Sequence, residues 1–182
     1  DPQEQAKRPK TVTLLVGSPQ KRGATFKAAE MFASRLGALG DVETKIVWLG
    51  DYHIDTCRGC KLCITRGEDR CPLKDDRDLV VGEMLGADAF VFAAPNYSWH
   101  VPGLLKVFLD RLGFALHRPR FHGRTATAIV VEGIGFGGES CVILMIDPLC
   151  YMGWPNDQVQ LRPRLRDVRH PQTRAAGPSG GS

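Results

Sequence analysis

From Thr11 to Val16 the chain sets β-branched residues and leucines side by side, the pattern of a strand buried on both faces of a parallel sheet. The run empties into Gly17-Ser18-Pro19-Gln20-Lys21-Arg22-Gly23-Ala24-Thr25. Phe26, Ala29, Phe32, Ala33 and Leu36 then recur at helical spacing, which predicts an amphipathic helix that Gly40 stops. Val42 to Leu49 is the next strand candidate, and a polar segment carrying four cysteines runs from there to about Pro72. Asp75 or Asp76 is placed to cap a helix through Met84 and Leu85.

Asp88 to Ala94 predicts a third strand that ends in Pro95-Asn96-Tyr97-Ser98-Trp99. A helix beginning near Pro102 follows, with Leu104, Leu105, Phe108, Leu109 and Leu112 on its buried side. Thr125 to Val131 is a fourth strand, and the glycine-rich stretch Gly133 to Gly138 leads into a helix reaching about Met152. Strands alternating with helices predict an α/β fold, a doubly wound parallel sheet in three α/β/α layers. After Gly153 no convincing fifth strand and final helix can be read. Trp154 to Leu161 offers at best a short edge strand, because its polarity and Pro155 oppose a central one. The sheet is therefore expected to be truncated at its C-terminal strand and helix, or to be completed by a neighbouring subunit.

Composition changes this picture only at the ends. With 182 residues, 43% of them apolar, the chain can bury one core without covalent staples. The expected organisation is a flexible segment 1–10, one domain over 11–160, and a tail 161–182. That tail holds five arginines and one aspartate, a surplus equal to the whole formal charge of +4. It reads as solvated and disordered, and the neutral body gives no reason to expect nucleic-acid binding. No apolar run approaches the roughly 20 residues that span a bilayer, and no secretory signal is visible. The chain begins at Asp1 without a methionine; a cytoplasmic protein is expected.

The chemistry is concentrated in Cys57, Cys60, Cys63 and Cys71, four of only six cysteines. Cys-x2-Cys-x2-Cys wraps closely around an iron–sulfur cube, and a fourth thiolate followed by Pro72 resembles the end of a bacterial ferredoxin run. With no second set in the sequence, all four would serve a single 4Fe-4S centre. Zinc is the rival metal, although its four-thiolate sites usually come from two separated knuckles. A metal-free redox-thiol loop also fits, whereas a disulfide framework suits smaller, cysteine-dense chains. Cys141 and Cys150 read as packing residues in an apolar helix. Of the five histidines, only His53 lies near enough in sequence to be a further ligand, and all read as ordinary polar positions.

Ligands of such sheets bind beyond the carboxyl ends of the strands, where the strand order switches. The Gly17–Thr25 loop lacks both the Walker and the dinucleotide glycine patterns, yet it joins hydroxyls, glycines and a helix N-terminus in a way that favours a phosphate dianion. Pro95 to Trp99 offers two aromatic rings and an amide to a planar ring, and Gly133 to Gly138 is bare enough for backbone to approach a ligand edge. Each loop alone could be a mere connection. Together, and in this order, they suit an FMN site.

The phosphate-loop run, the cysteine run, Ala-Pro-Asn-Tyr-Ser-Trp and Pro-Gly-Leu-Leu-Lys-Val-Phe-Leu-Asp-Arg (102 to 111) resemble the flavodoxin-like NAD(P)H-dependent FMN reductase superfamily, specifically its iron–sulfur flavoprotein branch, over about residues 10 to 153. The resemblance implies a flavodoxin-like sheet, noncovalent FMN, a 4Fe-4S cluster on Cys57, Cys60, Cys63 and Cys71, and NAD(P)H or another reduced donor. It further implies a homodimer or homotetramer in which cluster and flavin exchange electrons with small-molecule or protein partners. By motif position, Ser18, Gln20, Gly23, Ala24 and Thr25 would cradle the FMN phosphate. Pro95, Asn96, Tyr97 and Ser98 would contact the isoalloxazine, with Gly133, Gly135 and Gly137 at its far edge. The chain departs from the family where Gln20 stands for arginine and Ala24 for asparagine, with Lys21 or Arg22 as candidates to compensate. No side-chain acid or base is obligatory for flavin redox chemistry, so no catalytic residue is assigned. A cluster-free FMN or quinone reductase, and a flavin- or zinc-binding module without turnover, are the alternatives.

Overall fold

The computed structural model describes residues 8–133 and 135–152. Four strands, β1 (Lys10–Val16), β2 (Val42–Trp48), β3 (Ala89–Pro95) and β4 (Thr125–Val131), form one parallel sheet in the order β2-β1-β3-β4. Between them run α1 (Ala24–Gly37), α2 (Leu62–Thr65), α3 (Arg77–Leu85), α4 (Gly103–Asp110) and α5 (Gly113–His117), and α6 (Gly138–Tyr151) follows β4. This is the doubly wound α/β architecture that the apolar periodicity predicts, with every strand within a residue or two of its expected span. The segment Trp154 to Leu161 and the basic tail lie outside the described residues, and so does Cys150 as a side chain.

The strands are continuously apolar because helices cover the sheet on both sides. Alternate positions point to opposite faces. Val12, Leu14 and Val16 of β1 pack with Val91 and Ala93 of β3 under Ala29 and Ala33 of α1. On the other face, Leu15, Phe90 and Phe92 join Val80 and Met84 of α3, Leu105 and Phe108 of α4, and Cys141 and Met145 of α6. Met152, just past α6, is buried in this larger core, which settles it as a packing residue.

The chain leaves β1 towards β2 on one side and returns to β3 on the other, so strand order switches between β1 and β3. Their tips are stitched together by the Gly17 N–H, which donates to the Ala93 carbonyl at 2.8 Å. The loops after β1 and β3, the first and second of the three loops singled out in the sequence, flank this switch point, where ligands of such sheets bind.

At the opposite end of the sheet, Asp88 accepts from both arms of the Arg8 guanidinium, at 2.9 and 2.7 Å, and from the Thr11 N–H at 2.9 Å. The Arg8 hydrogen bond, with help from the Thr11 N–H, holds the Asp88 carboxyl down at about 2 from its usual 3.8. A carboxyl depressed in the folded state stabilises the fold above its unfolded pKa and loses that contribution as pH falls through the folded one. Asp88→Asn should therefore cost on the order of 1–2 kcal/mol near pH 7. In urea titrations the gap from wild type should close as pH falls from 3.8 to about 2; a gap independent of pH would refute the assignment.

Candidate functional site

The loop after β1 is a tight, braced turn. The Gln20 N–H donates to the Ser18 hydroxyl at 3.2 Å, and the Gly23 N–H donates to the Gln20 carbonyl at 3.1 Å. The indole of Trp48, at the end of β2, donates to the Ser18 carbonyl at 2.7 Å and fixes the loop from the side. Gly17 is required by close approach, since a Cβ there would lie 2.6 Å from the Cβ of Leu105 on α4. Helix α1 then starts at Gly23 with no side-chain cap and no acidic residue in its first turn. Its first N–H groups have no intrahelical acceptor, and the Ser18 and Thr25 side chains are buried beside them. This donor set suits an anion.

Lys21, a candidate to replace the missing charge, is committed elsewhere. Its ammonium lies 2.8 Å from both carboxylate oxygens of Asp51 and 4.6 Å from the centre of the Trp48 ring. Arg22 is exposed beside it. Gln20 and Ala24 are exposed on the loop.

After β3 the chain reverses within two residues. The N–H and carbonyl of Tyr97 pair with those of His100 at 2.8 and 3.0 Å, and Ser98 and Trp99 between them have φ of 50° and 64°. Two consecutive non-glycine residues in the left-handed region are a costly conformation that persists only when surroundings impose it. Here the constraint comes from the third loop. The Asn96 carboxamide donates to the Phe136 carbonyl at 3.0 Å and accepts from the Cys141 thiol at 3.6 Å. The Trp99 and Phe136 rings lie 5.6 Å apart. Gly137, at φ 88°, is packed so closely that a Cβ would meet Asn96 Nδ2 and Trp99 Cδ1, each at 2.8 Å. Glu132 closes the arrangement by accepting from the Gly138 N–H at 2.8 Å, which caps α6.

Pro95, Asn96, Tyr97, Ser98, Gly135 and Gly137 are thus brought to one rim, where Tyr97, Trp99 and Phe136 stay exposed. Gly133 and Gly135 have open space where a Cβ would stand. Exposed aromatic rings gathered at strand tips are the apolar platform on which a planar ligand or a second protein surface could lie.

The cysteine loop is held to this end of the molecule by two buried arginines. Arg111, just after α4, forks onto both oxygens of Asp75 and donates to the Asp55 carbonyl at 2.8 Å and to the Cys71 sulfur at 3.6 Å. The Arg111 and Asp75 side chains are 2% and 1% exposed. Burial by itself pushes the Asp75 carboxyl up, but the Arg111 hydrogen bond and the N–H groups of Asp55 and Arg77 outweigh it and hold the carboxyl at about 2. Burial likewise pulls Arg111 down, and Asp75 more than restores it. The expectation of a helix cap at Asp75 or Asp76 resolves into two roles. Asp75 accepts from the Arg77 N–H that opens α3, while Asp76 accepts from the His53 N–H.

Arg77 lies over the Phe114 ring and donates to the Glu68 carbonyl at 3.2 Å. Its Nε is buried without a partner.

Cys57 and Cys60 are exposed, and Cys63 and Cys71 are half-buried. The Cys63 thiol is pushed up by burial and then by Cys71, is drawn down by Arg77, and is pushed up again by Cys57 and Cys60. Cys63 therefore feels the other three sulfurs, although among the described residues no three ligating side chains are gathered into a finished metal site. Four cysteine sulfurs in one short loop, beside two buried arginines that are each paired with an aspartate and of which one keeps an unpartnered Nε, fit a metal–thiolate centre. His53 pairs instead with Asp55 at 3.3 Å.

The family described as NADPH-dependent FMN reductase matches residues 10–157. An iron-sulfur flavoprotein of Archaeoglobus fulgidus is 37% identical over 123 residues, covering 67% of this chain and 59% of that protein. The chain belongs to the iron–sulfur flavoprotein branch of the FMN reductase family. A second iron-sulfur flavoprotein of the same organism is 33% identical over 66% of the chain and 54% of its own length. The chain thus spans little more than half of these two relatives. Among solved structures, an azoreductase from Bacillus anthracis superposes with a TM-score of 0.61 at 15% identity, covering 81% of this chain and 83% of that one, a likeness of fold.

Several residues that brace these loops escape a reading of the sequence. Trp48, Arg77, Arg111 and Cys141 act through partners far along the chain, and Glu132 through the Gly138 N–H on the other side of the third loop. Arg111 closes a quoted motif, but nothing local shows that it is buried.

Gly137→Ala should cost roughly 1–3 kcal/mol in urea unfolding, from the left-handed backbone and the collision with Asn96 and Trp99. Asn96→Ala should speed amide exchange at residues 135–138 while leaving β3 protected, and unchanged exchange there would show that the carboxamide does not bind the two loops together.

Proposed function

We propose that this chain is an FMN-dependent oxidoreductase that carries a 4Fe-4S cluster on its cysteine loop and passes electrons between a reduced donor and an acceptor. One observation carries the reading. Helix α4 abuts the phosphate loop through Leu105, and Arg111 just beyond it grips the cysteine loop, so a phosphate-binding turn and a four-thiol loop rest on one rigid support. Family membership and the two flavoprotein relatives support the same conclusion.

In this reading Ser18, Gln20, Gly23, Ala24 and Thr25 hold the FMN phosphate, chiefly through the uncapped N–H groups of α1 and the buried hydroxyls. The shortage of positive charge is met by helix N–H donors, because Lys21 is engaged with Asp51. Pro95, Asn96, Tyr97 and Ser98 face the ring system, with Gly133, Gly135 and Gly137 along its far edge. Asn96 sets the distance between those two walls, and the Trp99 and Phe136 rings shield the ligand from water. Cys57, Cys60, Cys63 and Cys71 hold the cluster. Bound flavin would accept electrons as a pair and release them singly, which a one-electron cluster requires. The exposed rings at the rim suit contact with a second copy of the chain, in a homodimer or homotetramer, or with an electron donor such as NAD(P)H.

Protein purified without air should show flavin and iron–sulfur absorbance, with iron and acid-labile sulfide near four each per chain on the 4Fe-4S stoichiometry. Cys60→Ala should abolish the cluster absorbance and leave FMN bound. Loss of both would show that the loop is required for folding, and a wild-type chain that holds neither group defeats the proposal. A cluster-free FMN or quinone reductase is the second reading, favoured by the absence of a gathered ligand group among the described residues. It is distinguished by bound FMN with NAD(P)H oxidation but no iron or sulfide.

A further inference from the structure

We infer that Arg111 is a positioning residue of the cysteine loop: it seats Cys71 against the end of α4 and donates an N–H directly to its sulfur. The inference rests on the reading of this loop as the cluster site, and deepens it.

The loop has little regular structure, and side chains hold much of it: Arg77 and Arg120 meet Glu68 in its second half, and His53 and Asp76 hydrogen-bond across its base. Between Tyr52 and Asp76 its only regular pieces are the four-residue α2 and a single 3-10 turn, Glu68–Arg70. Most of its residues are exposed. Arg111 reaches into both ends of this segment, through the Asp55 carbonyl on the entering strand and through Asp75 and Cys71 on the leaving one. One guanidinium thus adds a buried tie between the two ends of this loop, beside the Asp76–His53 and Asp55–Asp75 hydrogen bonds. Lysine could not replace it, because a single ammonium lacks the planar fork that meets two carboxylate oxygens while still facing a carbonyl and a sulfur.

The sulfur contact has a separate consequence. Hydrogen bonds to ligand sulfur stabilise the more electron-rich state of an iron–sulfur centre and so raise its potential. Asp75 neutralises the guanidinium charge without occupying the N–H aimed at Cys71, so the effect is that of a directed donor more than of net charge. Cys57 and Cys60 are exposed and Cys63 packs from α2 against the main core, whereas the Cys71 sulfur takes a hydrogen bond from a buried side chain.

Two variants of the full chain separate the two roles. Arg111→Lys keeps a cation and loses the fork. Arg111→Met combined with Asp75→Asn removes the buried ion pair together, which spares the fold an unpaired charge and leaves an amide oxygen to accept from the Asp55 and Arg77 N–H groups. Trypsin cleavage at Arg58, Lys61, Arg66 or Arg70 is first followed on metal-free protein, where both variants should be cut about tenfold faster than wild type through a more often open loop. Protein reconstituted with ferrous iron and sulfide is then titrated for its midpoint potential, which should move to more negative values in both variants. Unchanged cleavage overturns the tether, and an unchanged potential in loaded variants overturns the sulfur contact. Wild type that takes up no iron overturns the cluster reading and the sulfur contact with it, while the cleavage result still decides the tether.

Discussion

The buried ion pair between Arg111 and Asp75 is the constraint on which the rest of the site depends. A guanidinium and a carboxylate with side chains 2% and 1% exposed survive burial because they pair with each other and because the Asp55 carbonyl, the Cys71 sulfur and the Asp55 and Arg77 N–H groups satisfy what the pair leaves over. Such a pair adds little net stability, since desolvation offsets its attraction, but losing one partner costs about 3–5 kcal/mol. Its value is in specificity. It selects one arrangement of an otherwise weakly structured loop and fixes it to a helix that also supports the phosphate turn. Without that choice, the four thiols would sample many separations, and a ligand set close in sequence would have no fixed place relative to the strand tips.

A second constraint acts in the loop after β3. Ser98 and Trp99 are both held in the left-handed region, and the cost is met by the Asn96 carboxamide, the Tyr97–His100 backbone pairing and the contact with Phe136. Rigid strand tips allow this. The Gly17 N–H ties β1 to β3, and Trp48 ties the phosphate turn to β2, so strain in one loop is borne by the whole sheet. The glycines at 17 and 137 are needed because neighbouring atoms already occupy the space a Cβ would take.

The sheet and its helices were legible in the sequence because each rests on a local period. Val12, Leu14 and Val16 alternate with Leu15 across a strand, and Ala29 and Ala33 with Phe26 and Phe32 mark one face of a helix, whatever the distant residues do. The loops at the strand tips were legible for a related reason, since a turn chemistry of glycine, serine and proline is written in consecutive residues. Lys21 shows where that reading stops. Its sequence position makes it a phosphate ligand as readily as a surface charge, and only the approach of Asp51, thirty residues away, commits it.

By itself, then, the sequence determined the order of strands and helices, the four thiols within one short segment, and the three loops that could meet a flavin phosphate and ring, because all of these follow from spacing along the chain. Only the tertiary structure decided which charges are buried and what they touch. Arg111 meets Asp75 from 36 residues away and Asn96 meets Phe136 from 40, and in both cases the cost of hiding a polar group from water can be judged only once its partner is in place.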